Sequence, residues 1–232
     1  MKLPLEDVIG LRAPELKKTF GVFGYFYDRD WGGKIQPCRE ILEIVDRTKI
    51  PFDFNELLVH QPELTVTMMN PGSSKPEDPQ YKPVLISDVD EIAVHRTLVE
   101  TKPDPAQYQI MKFMMLSGYQ HARILNLSDL REGKSSEFMK LWPTLDSSHS
   151  VFASSRRNSL RELVGQPKAV LFAWSQEEKL NSLAIKTKNF FKDNIDCKIV
   201  GIPKGEHGFA YPSPMLQKHK EDWLRQICNK PG

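Results

Sequence analysis

The sequence predicts an α/β fold: a three-layer α/β/α sandwich in which helices cover both faces of a central, mostly parallel sheet. Two observations carry this. Apolar runs of strand length recur along the chain, as ELTVTMM (63–69), ARILNL (122–127), KAVLFAW (168–174) and CKIVGIP (197–203). Between them lie amphipathic stretches with helix start and stop signals, and strands that alternate with helices pack as a parallel sheet buried on both sides. In such sheets ligands bind beyond the carboxyl ends of the strands.

The elements follow in order. FGVFGYFYDRD (20–30) alternates aromatic and small residues, then meets Trp31-Gly32-Gly33, and reads as a strand and a turn. CREILEIVDRT (38–48) sets Ile41, Leu42, Ile44 and Val45 on a helical stripe, so a helix is expected there, ended by Pro51. The strand ELTVTMM stops at Asn70-Pro71-Gly72-Ser73-Ser74, and a polar, proline-rich segment runs on to Pro83. Residues 81–101 read as a strand, a helix or both. Asp104-Pro105 is a strong helix start, with Asp as N-cap and Pro at the first helical position. Ile110, Met111, Phe113, Met114 and Leu116 give that helix its apolar face, and Gly118 ends it.

The run ARILNL follows as a strand, then SSEFMKLW (135–142) and SSRRNSLRELVG (154–165) as helices. KAVLFAW is a buried strand. It leads into a long amphipathic helix over 175–193, which Ser175 is expected to cap with Glu177 and Glu178 in the first turn. CKIVGIP is a strand, KGEHGFAYPSPM (204–215) a loop and LQKHKEDWLRQIC (216–228) the last helix. Residues 1–60 are expected to be an N-terminal extension packing on the core, and 61–232 the domain itself.

The bulk numbers exclude little. The 232 residues carry 32 basic and 30 acidic side chains, a net charge of +2, which neither requires nor rules out nucleic acid. Cys38, Cys197 and Cys228 are widely spaced and fit neither a zinc site nor a CxxC pair, so reduced thiols are expected. No apolar run approaches the roughly 18 residues of a membrane span. The first residues carry acids early and have no long apolar core, so no signal peptide, a cytoplasmic location and no membrane partner are expected. No GxGxxG, GxxxxGK[ST] or GxSxG occurs, and His95, His121, His149 and His219 have no recognisable Ser or Cys partner. Asp78, Asp88, Asp90 and Asp104 match no metal motif, and a solvated acidic loop is the expected reading.

Four strand-end motifs appear in a set order: MMNPGSS, RILNL, VLFAWS and AYPSPM. This series resembles the uracil-DNA glycosylase superfamily, whose members carry a water-activating N-P-G or D-P motif after the first core strand. They also carry an Asn at the end of a second strand, an L-L-W-G-like third motif and an H-P-S-P-like loop. MNPGSS, DPAQ and GYQHARILNLSDLR also resemble an uncharacterised bacterial family with an L-N-P-S-T-A motif. The match spans residues 63 to 220 and leaves the first 60 outside.

The resemblance implies an N-glycosylase-like protein of that fold, a monomer, which recognises a nucleobase in DNA and hydrolyses its glycosidic bond with no cofactor and no metal. Asn70 would position the attacking water, with Tyr211 and His207 completing the catalytic set. Pro71, Gly72, Ser73, Asn126 and Trp174 would contact the base; Asn126 suits its edge because one amide both donates and accepts. Ser213, Arg156, Arg157 and Lys204 would hold DNA phosphates, and Met215 would fill the vacated stack. Tyr211 stands where the family motif has His. Other readings stay open. Asn70 is equally a strand-terminating turn residue, Asn126 a buried amide tying two loops, and Arg156-Arg157 a solvated helix face. The same cleft also suits a non-catalytic nucleic-acid or nucleotide binder, or a hydrolase of a free nucleoside or nucleotide.

Overall fold

The computed structural model describes residues 4–229. Two short helices, α1 (Leu5–Gly10) and α2 (Ala13–Thr19), lead into a long hairpin of β1 (Phe20–Asp30) and β2 (Ile35–Asp46). The chain continues through β3 (Leu64–Met68), β4 (Val84–Ile86), α3 (Glu91–Val94), β5 (Val99–Glu100), α4 (Pro105–Ser117) and β6 (His121–Asn126). Then come α5 (Ser135–Leu141), α6 (Arg157–Val164), β7 (Ala169–Phe172), α7 (Asn181–Asn194) and β8 (Lys198–Val200). A small hairpin of β9 (Pro203–Lys204) and β10 (Gly208–Phe209) precedes α8 (Gln217–Cys228).

The main sheet has eight strands in the order β4-β1-β2-β6-β3-β7-β8, with β5 also pairing β1. The strands β6, β3, β7 and β8 are parallel neighbours. The chain passes from β3 to β6 on one side, then crosses to β7 on the other. That reversal beside β3 is a topological switch point, where the loops at the strand ends diverge and leave a crevice. The amino-terminal hairpin joins the same sheet, since β2 pairs antiparallel with β6 from Ile41↔Leu125 to Val45↔His121. Residues expected to pack on the core thus build part of its sheet.

Each face has its own core. On one face α1, α2, α4 and α8 supply Ile9, Leu16, Met111, Met114, Trp223 and Leu224 against Leu42, Val66, Ile124 and Leu171. On the other, α5, α6 and α7 bring Phe138, Leu160, Leu163 and Phe191 against Ile41, Leu125, Val170 and Phe172. The start signal at Asp104 operates as expected: its carboxylate accepts from the Gln107 N–H at 2.9 Å, and Gly118 closes α4 at φ 79°. Ser175 is not a helix cap. It is the one described non-glycine residue with positive φ, at 73°, and α7 begins at Asn181.

The helix expected over 38–48 is the strand β2. Ile41, Leu42, Ile44 and Val45 do not form one stripe; Leu42 and Ile44 face one core, Ile41 and Val45 the other. The charged residues between them are buried and paired by distant parts of the chain. Glu43 accepts from Arg123 at 2.5 Å and lies 2.7 Å from His121. Glu40 accepts from Arg96 at 2.6 Å and Arg156 at 2.7 Å. Burial works against both carboxylates, yet these arginines, with His121 beside Glu43, hold them below the usual range.

A bulge in β2 sets the phase. Gly24 faces Leu42 but Phe26 faces Arg39, so Glu40 and Ile41 together oppose Tyr25. Such an insertion re-aims the side chains beyond it. Here Glu40 stays in the ion-pair face while Arg39 turns to the other.

Two buried titrating groups sit beside the ion pairs. Burial raises Asp129 to about 6 despite hydrogen bonds from Arg156 at 2.6 Å and Tyr27 at 2.8 Å. Burial lowers His149 to about 4. The raised Asp129 contributes stability that is lost as pH rises from its unfolded value through 6. The depressed His149 contributes stability that is lost as pH falls from its unfolded value through 4. Relative to the wild type, Asp129→Asn should therefore gain stability as pH rises from 4.5 to 7, whereas His149→Gln should lose it. Urea unfolding at the two pH values measures both slopes, and equal slopes would refute the assignment.

Candidate functional site

A cavity of about 400 Å³ opens at the carboxyl ends of the central strands, within the size range of small-molecule sites. Met68, Met69, Asn70, Pro71 and Gly72 line it after β3, Ile124 lines it from β6, and Ser175 and Glu177 line it after β7. Asp104 and Gln107 come from the start of α4, Glu132 and Gly133 from the loop after β6, Tyr211 from the loop before α8, and Arg39 from β2.

The loop after β3 is tied to the loop after β6. Leu127 N–H donates to the Met68 carbonyl at 2.8 Å, and Ser128 N–H to that of Met69 at 3.2 Å. The Asn70 amide nitrogen donates to the carbonyls of Leu130 at 3.2 Å and Glu132 at 2.7 Å. Arg131 Nε donates to the Ser74 carbonyl at 2.7 Å. Both Asn70 N–H donors are therefore engaged, which fixes the amide's orientation and leaves Oδ1 as its free acceptor. Gly72, at φ 60°, lets the chain turn beneath it.

Asn126 ends β6 opposite Met68 and lies on the sheet face of Ile124, two residues before it. It is 0 % exposed, and neither side-chain atom has a hydrogen-bond partner among the described residues. Buried amides are nearly always paired. Arg39 is similar: 2 % exposed, lining the cavity, with Nε and Nη1 unpartnered. Burial drops its guanidinium to about 10.

The structure brings Asn70, Pro71, Gly72 and Tyr211 together around this cavity, while Asn126, at the adjoining strand end, is buried outside its lining. Four expectations are corrected. Arg156 is not on a DNA-facing surface; it is 4 % exposed and bridges Glu40 to Asp129. Trp174 is buried outside the cavity lining; its ring packs 4.7 Å from Phe172 and 5.0 Å from Phe209, and its Nε1 donates to the His207 carbonyl. His207 sits in the turn between β9 and β10, outside the cavity wall, with Nε2 3.5 Å from Glu206. Ser73 is exposed and also stands outside the lining.

Lys204, Arg157 and Met215 are exposed and Ser213 half-buried. Lys204 lines a second pocket, which shares Ser175 and Tyr211 with the first. Arg39 and Ser175 were missed by sequence reasoning, since one sat inside an expected helix and the other at an expected cap. The available signal for Arg39 was a charge within a run of strand-forming residues. No family model, curated protein or solved structure matches this chain. Among the described residues, no helix is long and apolar enough to cross a membrane.

Proposed function

We propose that this cleft binds a nucleobase and hydrolyses its N-glycosidic bond, on a sandwich of the uracil-DNA glycosylase kind. The observation that carries the reading is the pairing of two amides at the ends of adjacent parallel strands: Asn70, oriented with its oxygen free, and Asn126, buried with no partner. Asn70 Oδ1 accepts a hydrogen bond from a water and aims it at the sugar carbon. Asn126 reads the base edge, donating from Nδ2 and accepting at Oδ1. The bond from sugar carbon to base nitrogen breaks with its electrons leaving on the base. The water oxygen takes the vacated position and releases its proton to solvent.

DNA as the carrier is supported by the loop 212–216. Met215 is 98 % and Leu216 61 % exposed, an apolar projection in the same loop as Tyr211, which lines the cavity, and of the kind that wedges into a base stack. A free nucleoside or nucleotide is the second reading. It is favoured by the burial of Arg156, which leaves Arg157 and Lys204 as the surface cations of the expected phosphate set.

An abasic-site assay on DNA holding uracil, mismatched thymine or damaged bases, run beside the free nucleosides, tests this. Turnover that falls by about 10²–10³ in Asn126→Ala is expected, the scale for removing one preorganised polar group. Correctly folded protein that cleaves none of the panel would sink the reading for those substrates.

A further inference from the structure

Arg39 carries a charge that no carboxylate among the described residues pairs directly. It is 2 % exposed, and its buried Nε and Nη1 have no hydrogen-bond partner among the described residues. Every other fully buried charge on β2 is matched: Glu40 by Arg96 and Arg156, Glu43 by Arg123. The acid whose charge acts most on Arg39 is Asp104, but Asp104 is engaged in capping α4 and forms no ion pair with it. An isolated buried charge costs several kcal/mol, so proteins rarely keep one without a counter-ion or a ligand.

Arg39 is the one cationic side chain among the described lining residues of the cavity, whose wall also holds Asp104, Glu132 and Glu177. Arg39 lines the cavity together with Gln107, from the amino-terminal turn of the 13-residue helix α4, where the helix dipole is positive. It lies on the strand next to Asn126, whose amide is also unpartnered. The bulge at Glu40-Ile41 turns Arg39 into the cavity and away from the ion-pair network. A planar guanidinium offers a two-pronged donor that fits an anionic oxygen pair.

We propose that the floor of this cleft is an anion subsite with Arg39 as its counter-charge, so the ligand carries or develops negative charge at its buried end. This rests on the nucleobase reading only for the source of the charge. The anion is either a base leaving with the bond electrons or the phosphate of a free nucleotide.

Calorimetric binding of inorganic phosphate, uridine, uridine monophosphate, uracil and the more acidic 5-fluorouracil to wild type, Arg39→Lys and Arg39→Gln decides it. At least one anionic or acidic probe should bind the wild type tenfold or more tightly than its neutral counterpart. That preference should vanish in Arg39→Gln and survive in part in Arg39→Lys. Ligand-free Arg39→Gln should also melt at a higher temperature than the wild type, which a structural role would not produce. A preference for 5-fluorouracil over uracil assigns the anion to the base; a preference confined to phosphate keeps the subsite and fails the base-cleavage reading. If wild type and Arg39→Gln treat all the probes alike, whether both bind or neither does, the inference is overturned.

Discussion

Arg156→Ala should unfold at a much lower temperature than the wild type, with a loss of about 3–5 kcal/mol, the usual result of removing one partner from a buried ion pair. For a chain of this size that is a fall of roughly 6–20 °C in Tm. The reason is the double engagement of the guanidinium. It donates at 2.6 Å to Asp129 and at 2.7 Å to Glu40, both fully buried. Its removal strands the Asp129 carboxylate with only Tyr27 and leaves Glu40 to Arg96 alone. Arg156→Lys keeps the charge but cannot reach both acids, so it should recover part of the loss. Adding Asp129→Asn to Arg156→Ala should recover part as well, because the stranded charge is removed. An exposed DNA-contacting arginine would behave oppositely: its stability effect would stay within about 0.5 kcal/mol. Thermal unfolding of the four proteins distinguishes the two roles.

Asn70→Asp should lose both stability and any activity, although a carboxylate is the stronger base for a water. The Asn70 amide donates to two backbone carbonyls, at 3.2 and 2.7 Å. A carboxylate offers no donor and places negative charge against both oxygens. Each carbonyl left unpaired costs about 1–3 kcal/mol, so a loss of roughly 2–6 kcal/mol is expected before repulsion is counted. The turn at Pro71-Gly72 hangs from this contact, so the cavity wall should shift as well. Asn70→Gln keeps the donors but misplaces them, and should be intermediate in stability. Chemical denaturation, read beside the abasic-site assay, is the measurement. An Asp variant as stable as wild type and more active would mean that Asn70 is a weakened base and not a positioned amide.

The parts of the fold legible in the sequence were those whose signals are local. The capped helix from Asp104 to Gly118 and the strands β3, β6, β7 and β8 each announce themselves through caps, punctuation or apolar runs, whereas the short β4, β5, β9 and β10 lie in segments that read as ambiguous or as loop. The strand β2 did not, because Arg39, Glu40 and Glu43 look like a solvent face until Arg96, Arg123 and Arg156 arrive from elsewhere. Of the site, Asn70, Pro71, Gly72 and Tyr211 could be named from motifs at strand ends. Arg39 could not, since its direction depends on a bulge, which leaves no mark in hydrophobic periodicity. Arg156 misled for the related reason that adjacent arginines on a helix are usually solvated; here Arg157 is, and its neighbour is not.

The ion pairs on β2 also bear on the order in which the molecule is made. Glu40 waits for arginines 56 and 116 residues downstream, and Glu43 for one 80 residues downstream. The hairpin of β1 and β2 can close as soon as it leaves the ribosome, because its own contacts are local. Its inner edge waits for β6, Glu43 for Arg123, and Glu40 for Arg156 as well as the earlier Arg96. Contacts that distant are slow to form and expose apolar edges meanwhile. The hairpin is thus made well before it is completed, and the nascent chain has an interval in which holding factors would matter most.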